Sequence, residues 1–380
     1  MERIKEHPRA DWRTRVEALG FDFHTMYGEP YWVESLSYRF TADEIDLLED
    51  ATNELHRLCL NAVGHVIQHR RFAEFAIPEP FWPLIEQSWR EQDPAIYGRF
   101  DLVYDGSAPP RMLEYNADTP TSLLEASVVQ WFWLKDVHPD ADQFNLIHER
   151  LIDAWRKAAT RHPFSTVYFT TLHDSDEDRI TCNYMRDVCT QAGFVTAEIN
   201  IPDIGWNGSH FTDLDEQPIR RLFKLYPWEW LVREDFGIHL LDRTVEMIEP
   251  AWKMLLSNKA LLPILWELYP HHPNLLASYR TREPLGTSYV RKPLLSREGE
   301  NVTLVHNGNE LSSPGDYGEE GFIYQEYSPL PVYDGFHTVI GSWVVDGKAA
   351  GIGIREDQSP ITGNLSRFIP HYFGDLGFDI

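Results

Sequence analysis

Two short motifs in the first third of the chain set polar side chains at alternate positions: Arg99-Phe100-Asp101 and Glu114-Tyr115-Asn116. On a β-strand, residues i and i+2 point to the same face, about 6.5–7 Å apart. The segment between them, Asp105-Gly106-Ser107-Ala108-Pro109-Pro110, has the composition of a turn. Residues 98–104 and 111–115 are therefore expected to form a hairpin. One of its faces would carry Asp101, Glu114 and Asn116, with Arg99 beside them. Two carboxylates and an amide are hard oxygen ligands, the kind that Mg²⁺ takes alongside substrate phosphates. The first expectation is a magnesium-nucleotide enzyme.

A second group of residues suits the phosphates themselves. Tyr289-Val290-Arg291-Lys292-Pro293 reads as a strand and is followed by Ser296-Arg297-Glu298-Gly299-Glu300-Asn301, a flexible polar loop. A strand-borne lysine supplies a point charge, and the backbone N–H groups of a glycine-containing flap can cup phosphate oxygens. Further on, Ile323-Tyr324-Gln325-Glu326-Tyr327 is an apolar strand ending in acceptors that would suit an adenine edge. The chain has no G-x-x-x-x-G-K-[ST], no G-x-G-x-x-G opening a helix, and no H-R-D. P-loop, dinucleotide-binding and protein-kinase sites are thereby set aside.

Positioning these groups requires a scaffold of several elements. Thr41 followed by Glu44 is a capping box, and the leucines after it recur at helical spacing, so residues 41–71 are expected to be helical. Residues 122–135 and 144–160 read as further helices. A strand at 166–171, a polar loop (His173 to Asp178), a helix at 179–192 and a strand at 194–199 give an α/β pattern. Strands are expected at 288–295, 302–306 and 322–326, with a final hairpin of 338–345 and 349–354 around Asp346-Gly347.

Bulk composition narrows the partners. The chain has 380 residues, 43% hydrophobic and 13% aromatic, and a formal net charge of −25. Such an acidic chain is not expected to bind nucleic acid, because a phosphate backbone demands a basic face. No apolar run approaches the ~18–20 residues needed to span a membrane, and the charged N-terminus lacks a signal-peptide core. The three cysteines, Cys59, Cys182 and Cys189, form no C-x-x-C pair. A cytoplasmic location is expected.

Taken together, the strand-Lys-Pro-flap, the hinge after Gln325-Glu326 and the E-x-N pair resemble an ATP-grasp enzyme. The E-x-N element precedes the flap here, whereas it normally follows it, so the resemblance is to a permuted arrangement. It is most similar to the synthetase domain of glutathionylspermidine synthase and its stand-alone acid–amine ligase relatives. The strings that carry this are Tyr31-Trp32, Arg99-Phe100-Asp101, the run from Glu114 to Leu123, Ser257-Asn258-Lys259-Ala260, Lys292-Pro293 and Gly353-Ile354-Arg355-Glu356.

The resemblance implies an α/β fold with α+β lobes. It would be a permuted ATP-grasp fold with a central pre-ATP-grasp-like α/β domain and a helical N-terminal portion. Residues 1–145 would hold the N-terminal helices and the metal-binding hairpin, 146–247 the substrate domain, and 248–380 the lobe with the flap. Asp101, Glu114 and Asn116 would hold two Mg²⁺ ions. Arg99, Asp101, Lys259, Lys292, Gly299, Gln325 and Glu326 would contact ATP, and Arg99 and Arg355 would be catalytic. Thr119, Thr121 and Arg297 would meet a glutathione- or peptide-like acid, and Glu177, in the acidic loop Asp174–Asp178, an amine such as a polyamine. Such an enzyme would join acid to amine through an acyl phosphate. The family pattern also implies a homodimer, and without the amidase half of bifunctional relatives no catalytic cysteine is expected.

Plainer readings stand beside these. Arg99 and Asp101 could be an ordinary ion pair, Lys259 could snorkel from an apolar stretch, Arg355 could pair with Glu356, and the acidic run could be a solvated loop. A phosphotransferase making a stable phosphate ester, or a nucleotide-binding module without ligation, would share the nucleotide half.

Overall fold

The computed structural model describes residues 1–26, 28–158, 161–172, 175–363 and 366–374. Helix α1 (Ala42–Gln68) starts where the capping box places it: the Thr41 side chain accepts the Glu44 N–H, and the Glu44 carboxylate returns to the Thr41 N–H. Its buried stripe, Leu48, Leu55, Leu58, Ala62 and Val63, packs toward the largest sheet.

Strands β1 (Tyr97–Val103) and β2 (Arg111–Asn116) form the expected antiparallel hairpin. Asp101 stands opposite Glu114 and Arg99 opposite Asn116, with a register shift just after Asp101. The helix expected from 122 is present: residues 123–137 are continuously helical, with Glu125–Val129 π-helical within the run and α2 (Gln130–Val137) as its last part. Helix α3 (Ile147–Lys157) is shorter than expected, and residues 159 and 160 of that expectation lie outside the described residues.

Next come strand β3 (Val167–Thr171), helix α4 (Asp176–Gln191) and strands β4 (Thr196–Glu198), β5 (Arg221–Leu225) and β6 (Glu246–Ile248). They form a four-stranded parallel sheet in the order β6-β5-β3-β4. Helix α5 (Leu261–Leu268) follows. Strands β7 (Ser288–Pro293), β8 (Thr303–His306), β9 (Asn309–Ser312) and β10 (Phe322–Glu326) then build an antiparallel sheet with β7 paired to both β8 and β10.

The chain ends by returning to its first third. Strands β11 (Phe336–Val345), β12 (Lys348–Asp357) and β13 (Arg367–Ile369) join the early hairpin in one antiparallel sheet, ordered β13-β12-β11-β1-β2. Gly341 of β11 lies opposite Asp101. This pairing is the structural content of the permuted ATP-grasp arrangement: early and late hairpins share one ladder. Strand β1 is buried along its whole length because it sits between neighbours on both edges. An aromatic seam ties this sheet to the parallel one. Tyr97 stacks between Phe223 and Trp343, each at 6.2 Å, and Phe223 meets Phe169 at 5.1 Å. Each ring contributes roughly 1.5–3 kcal/mol through burial. Among the described residues, no helix is long and apolar enough to cross a membrane.

Candidate active site

One cavity of about 230 Å³ lies between the β1–β2 hairpin, the β7–β10 sheet, the loop after β7 and the N-terminus of α4. Arg99, Asp101, Glu114, Asn116, Thr119 and Thr121 line it from the hairpin and the loop that follows it. Lys259, Lys292, Arg297, Gly299, Gln325, Glu326 and Arg355 line it from the later part of the chain, and Glu177 from α4.

The oxygen donors sit where strand alternation puts them, but cations already meet them. Asp101, buried at 5% exposure, accepts from Arg99 Nε at 2.9 Å and from Arg355 Nη2 at 2.6 Å. The Arg99–Asp101 ion pair thus exists, along one strand, within the cavity wall. Arg355 does not pair with Glu356. Alternation turns Glu356 to the opposite face, where it accepts from Tyr38, Arg3 and Arg367. Glu114 Oε2 lies 3.2 Å from Lys259 Nζ. Burial pushes the Glu114 carboxyl up, but Lys259 and Lys292 outweigh it and hold the group well below the usual carboxylate range. Asn116 Oδ1 accepts the N–H groups of Asp118 and Thr119 at 3.3 and 3.2 Å, which closes the turn leaving β2.

Both lysines are buried and tethered rather than snorkelling. Lys259 Nζ donates to Ser296 O at 2.6 Å, fastening the loop after β7. Lys292 Nζ donates to Leu113 O at 2.9 Å and to Gln325 Oε1 at 2.7 Å. Burial pushes its ammonium down to about 8. Gln325, expected at an adenine edge, uses its side chain to orient this lysine and to donate to Met112 O at 3.3 Å. Glu326 accepts the Ala277 N–H at 3.3 Å.

The loop after β7 lies against the site. Arg297 Nη1 donates to Thr119 Oγ1 at 2.6 Å, and its Nε to Glu229 Oε1 at 3.0 Å. Gly299 has φ +71°, and a Cβ there would come within 2.5 Å of Thr362 O. Only glycine allows this approach without displacing backbone.

The acidic run is not a loop. Ser175 caps α4 by accepting the Asp178 N–H at 3.2 Å, so Asp176, Glu177 and Asp178 form the first helical turn. An acidic first turn complements the helix dipole. Asp176 faces solvent and pairs with Arg179, whereas Glu177 and Asp178 line the cavity. Burial, then the charges of Glu177 and Glu298, push the Asp178 carboxyl up to about 7. His173 and Asp174 lie outside the described residues.

Several participants carried no readable signal in the sequence. Glu229, the partner of Arg297, comes from a short helix 68 residues earlier. Ser122 and Tyr31 also line the cavity. Tyr31 belongs to a string that carries the resemblance, but its spacing gives it no role. Among the described residues, no group of three or more His, Cys, Asp or Glu is placed to hold a metal. The oxygen set of the hairpin has two such residues and an amide. The three cysteines are buried and free.

A family model described as the glutathionylspermidine synthase preATP-grasp matches residues 3–374. The chain belongs to the glutathionylspermidine synthase family. Over 98% of its length it is 44% identical to a Haemophilus influenzae protein assigned as an acid–amine ligase, and the match spans all of that protein. It is 31% identical to the trypanothione synthetase of Crithidia fasciculata, over 83% of this chain and 53% of that one. It is likewise 31% identical to the bifunctional glutathionylspermidine synthetase/amidase of Escherichia coli K12, over 88% of this chain and 58% of that one. The chain thus spans just over half the length of these two relatives. A glutathione synthetase-like effector from Globodera pallida, solved in apo form, superposes with a TM-score of 0.56 over 89% of both chains at 11% identity. That likeness shows a shared fold. Family membership makes the chain an enzyme of the ligase and synthetase kind.

Proposed function

We propose that this chain is an ATP- and Mg²⁺-dependent carboxylate–amine ligase that forms an amide through an acyl phosphate. One observation carries the reading: a single cavity gathers a cluster of cations and two separate sets of carboxylates. Arg99, Arg355 and Lys259 contact Asp101 and Glu114, with Lys292 close to Glu114, while Glu177 and Asp178 line the α4 side near Arg99 and Arg297. A ligase that joins an acid to an amine with a nucleotide needs both kinds of group.

The donor set fits the metal. Glu114 is held anionic, and the oxygens of Asp101 accept from two guanidinium groups. Asp101, Glu114 and Asn116 would hold Mg²⁺, which when bound neutralises phosphate charge and orients the transferring group. The protein's own residues do the rest. Lys292 and Lys259 meet the nucleotide phosphates as fixed point charges. Arg99 and Arg355 balance negative charge as the γ-phosphoryl group passes to the substrate carboxylate and ADP leaves. Arg297 binds the acid and, with Thr119, closes the loop over it, which keeps an acyl phosphate from water. The amine, held by Glu177, attacks the carbonyl carbon, and phosphate departs.

On this reading residues 1–145 and 248–380 build the nucleotide half and 146–247 the substrate side. The names of its relatives point to a glutathione-like acid and a polyamine-like amine. We also infer a cytoplasmic location, which the buried free thiols support. The test is ADP release from purified protein with Mg-ATP, glutathione and a panel of amines, each product identified by mass spectrometry. ADP release that requires both substrates and yields an amide supports the ligase. A phosphorylated acid that persists, or nucleotide binding without turnover, overturns it.

A further inference from the structure

An amine presents a difficulty that the phosphate end of the site cannot solve. At neutral pH an alkylamine is an ammonium ion with no lone pair, since such groups ionise near pH 10.4. One proton must leave before or as the C–N bond forms. Every charged group at the phosphate end that could bind the nucleotide is a cation or a carboxylate already committed to one. The acceptor must lie on the acidic side.

There a hydrogen-bonded chain leads out of the cavity into the protein. Ser122 Oγ donates to Glu177 Oε1 at 3.3 Å. Ser122 Oγ and the Tyr31 hydroxyl are 3.2 Å apart, and either can donate. Tyr31 donates to Glu125 Oε1 at 2.8 Å. Glu177, Ser122 and Tyr31 line the cavity, whereas Glu125 is buried behind them at 1% exposure. Two backbone irregularities hold the chain in place. Ser122 has φ +65°, a left-handed conformation uncommon for serine. Glu125 opens the π-helical turn, the only such stretch among the described residues, and such turns often mark functional positions.

We propose that Glu125 takes up the proton released by the attacking amine, through Glu177, Ser122 and Tyr31. The inference rests on the ligase reading. The ammonium gives a proton to Glu177. Glu177 passes it to Ser122 Oγ as the serine hydroxyl, turned toward Tyr31, gives its own proton to the Tyr31 oxygen. Tyr31 gives its proton to Glu125. The amine nitrogen is left with the electron pair that forms the C–N bond, Glu177 is again a carboxylate, and Glu125 is neutral; the second proton that the nitrogen sheds in becoming an amide leaves with the departing phosphate. Glu125 acts through its neighbours and never touches the substrate, so it is a positioning residue for the proton.

The electrostatics suit this acceptor. The charged and titratable groups facing Glu125 are Tyr31, Glu177 and Arg99. Burial, and then the charge of Glu177, push its carboxyl up to about 8, close to assay pH, so that its ionised form binds a proton more tightly than an ordinary carboxylate does.

The test compares two nucleophiles in the full-length enzyme with Mg-ATP and glutathione. Spermidine must shed a proton to attack, whereas hydroxylamine is neutral at assay pH and traps the acyl phosphate as a hydroxamate. Glu125→Gln and Tyr31→Phe are expected to lower the spermidine rate by about 100-fold and the hydroxamate rate by at least ten-fold less. Equal losses with both nucleophiles, or no loss, overturn the relay. Wild-type enzyme that forms neither product overturns the ligase reading instead, and the relay with it. A second measurement needs no substrate. The infrared carboxyl band that Glu125→Gln removes should vanish between about pH 6 and 10 as the group ionises. A band unchanged over that range overturns the proposal.

Discussion

Asp101 and Glu114 are direct partners across the β1–β2 ladder, yet each carboxylate faces its own cations: Arg99 and Arg355 on Asp101, Lys259 on Glu114. Like charges placed opposite one another in a sheet repel. The pair is tolerated because Arg99 of the same strand and Lys259, Lys292 and Arg355 from later in the chain bring positive charge to it, and that same charge prepares the site for phosphates.

Asp101→Asn and Glu114→Gln keep the shape of the hairpin and remove one charge each. Both are expected to reduce ADP release by about two orders of magnitude at saturating Mg²⁺. Turnover measured across a Mg²⁺ titration checks this, and full activity in either variant would refute the metal role.

Arg297 is held by Glu229 and Thr119. Arg297→Ala is expected to raise the KM for the acid by about 10- to 100-fold and to leave that for ATP nearly unchanged. Glu229→Gln, which releases the arginine, should lower the acid KM. Steady-state kinetics on both variants separate these outcomes, and an equal effect on both substrates would count against the assignment.

Gly299→Ala places a Cβ 2.5 Å from Thr362 O at a backbone φ of +71°. The loop must shift away from the site. ADP release should fall about tenfold while the melting temperature changes little, because a local displacement of a surface loop leaves the core intact. Activity equal to wild type would show that loop closure is not needed.

Stability should fall as pH rises from about 6.5 to 8. Glu125 is raised from 4.5 to about 8 and Asp178 from 3.8 to about 7, so the folded state holds protons that the unfolded chain has already released. Their contribution is complete below about pH 4 and is lost progressively up to about pH 8. Buried His56 and His371, held well below the usual histidine range, oppose the decline below about pH 6.5, and Lys292 opposes it above about 8, so thermal melts between about pH 6.5 and 8 should show it, and Glu125→Gln with Asp178→Asn should flatten it. A melting temperature that rises across this window in the wild type would contradict the assignment.

The legible part of the site is the part governed by short-range rules. Two-residue alternation puts Asp101, Glu114 and Asn116 on one face, and the turn composition of 105–110 closes the hairpin. The capping box marks the start of α1. Polar residues beside a glycine mark the loop after β7. The acidic run shows the limit of such rules. Its residues were readable as a charged segment, but the Ser175 cap converts them into a helical turn that sends Asp176 outward and Glu177 and Asp178 into the cavity.

The sequence by itself determined which residue types could hold a metal, a phosphate and an amine, because those follow from side-chain chemistry and local periodicity. Only the tertiary structure decided who meets whom. Arg355 reaches Asp101 across 254 residues because β11 inserts between their strands, and Glu125 reaches the cavity through Tyr31, 94 residues away. Neither contact leaves a local pattern. Each exists because burying the apolar faces of β1 and of the helix behind it fixes the register of distant strands, and the polar groups on those strands take the partners that register supplies.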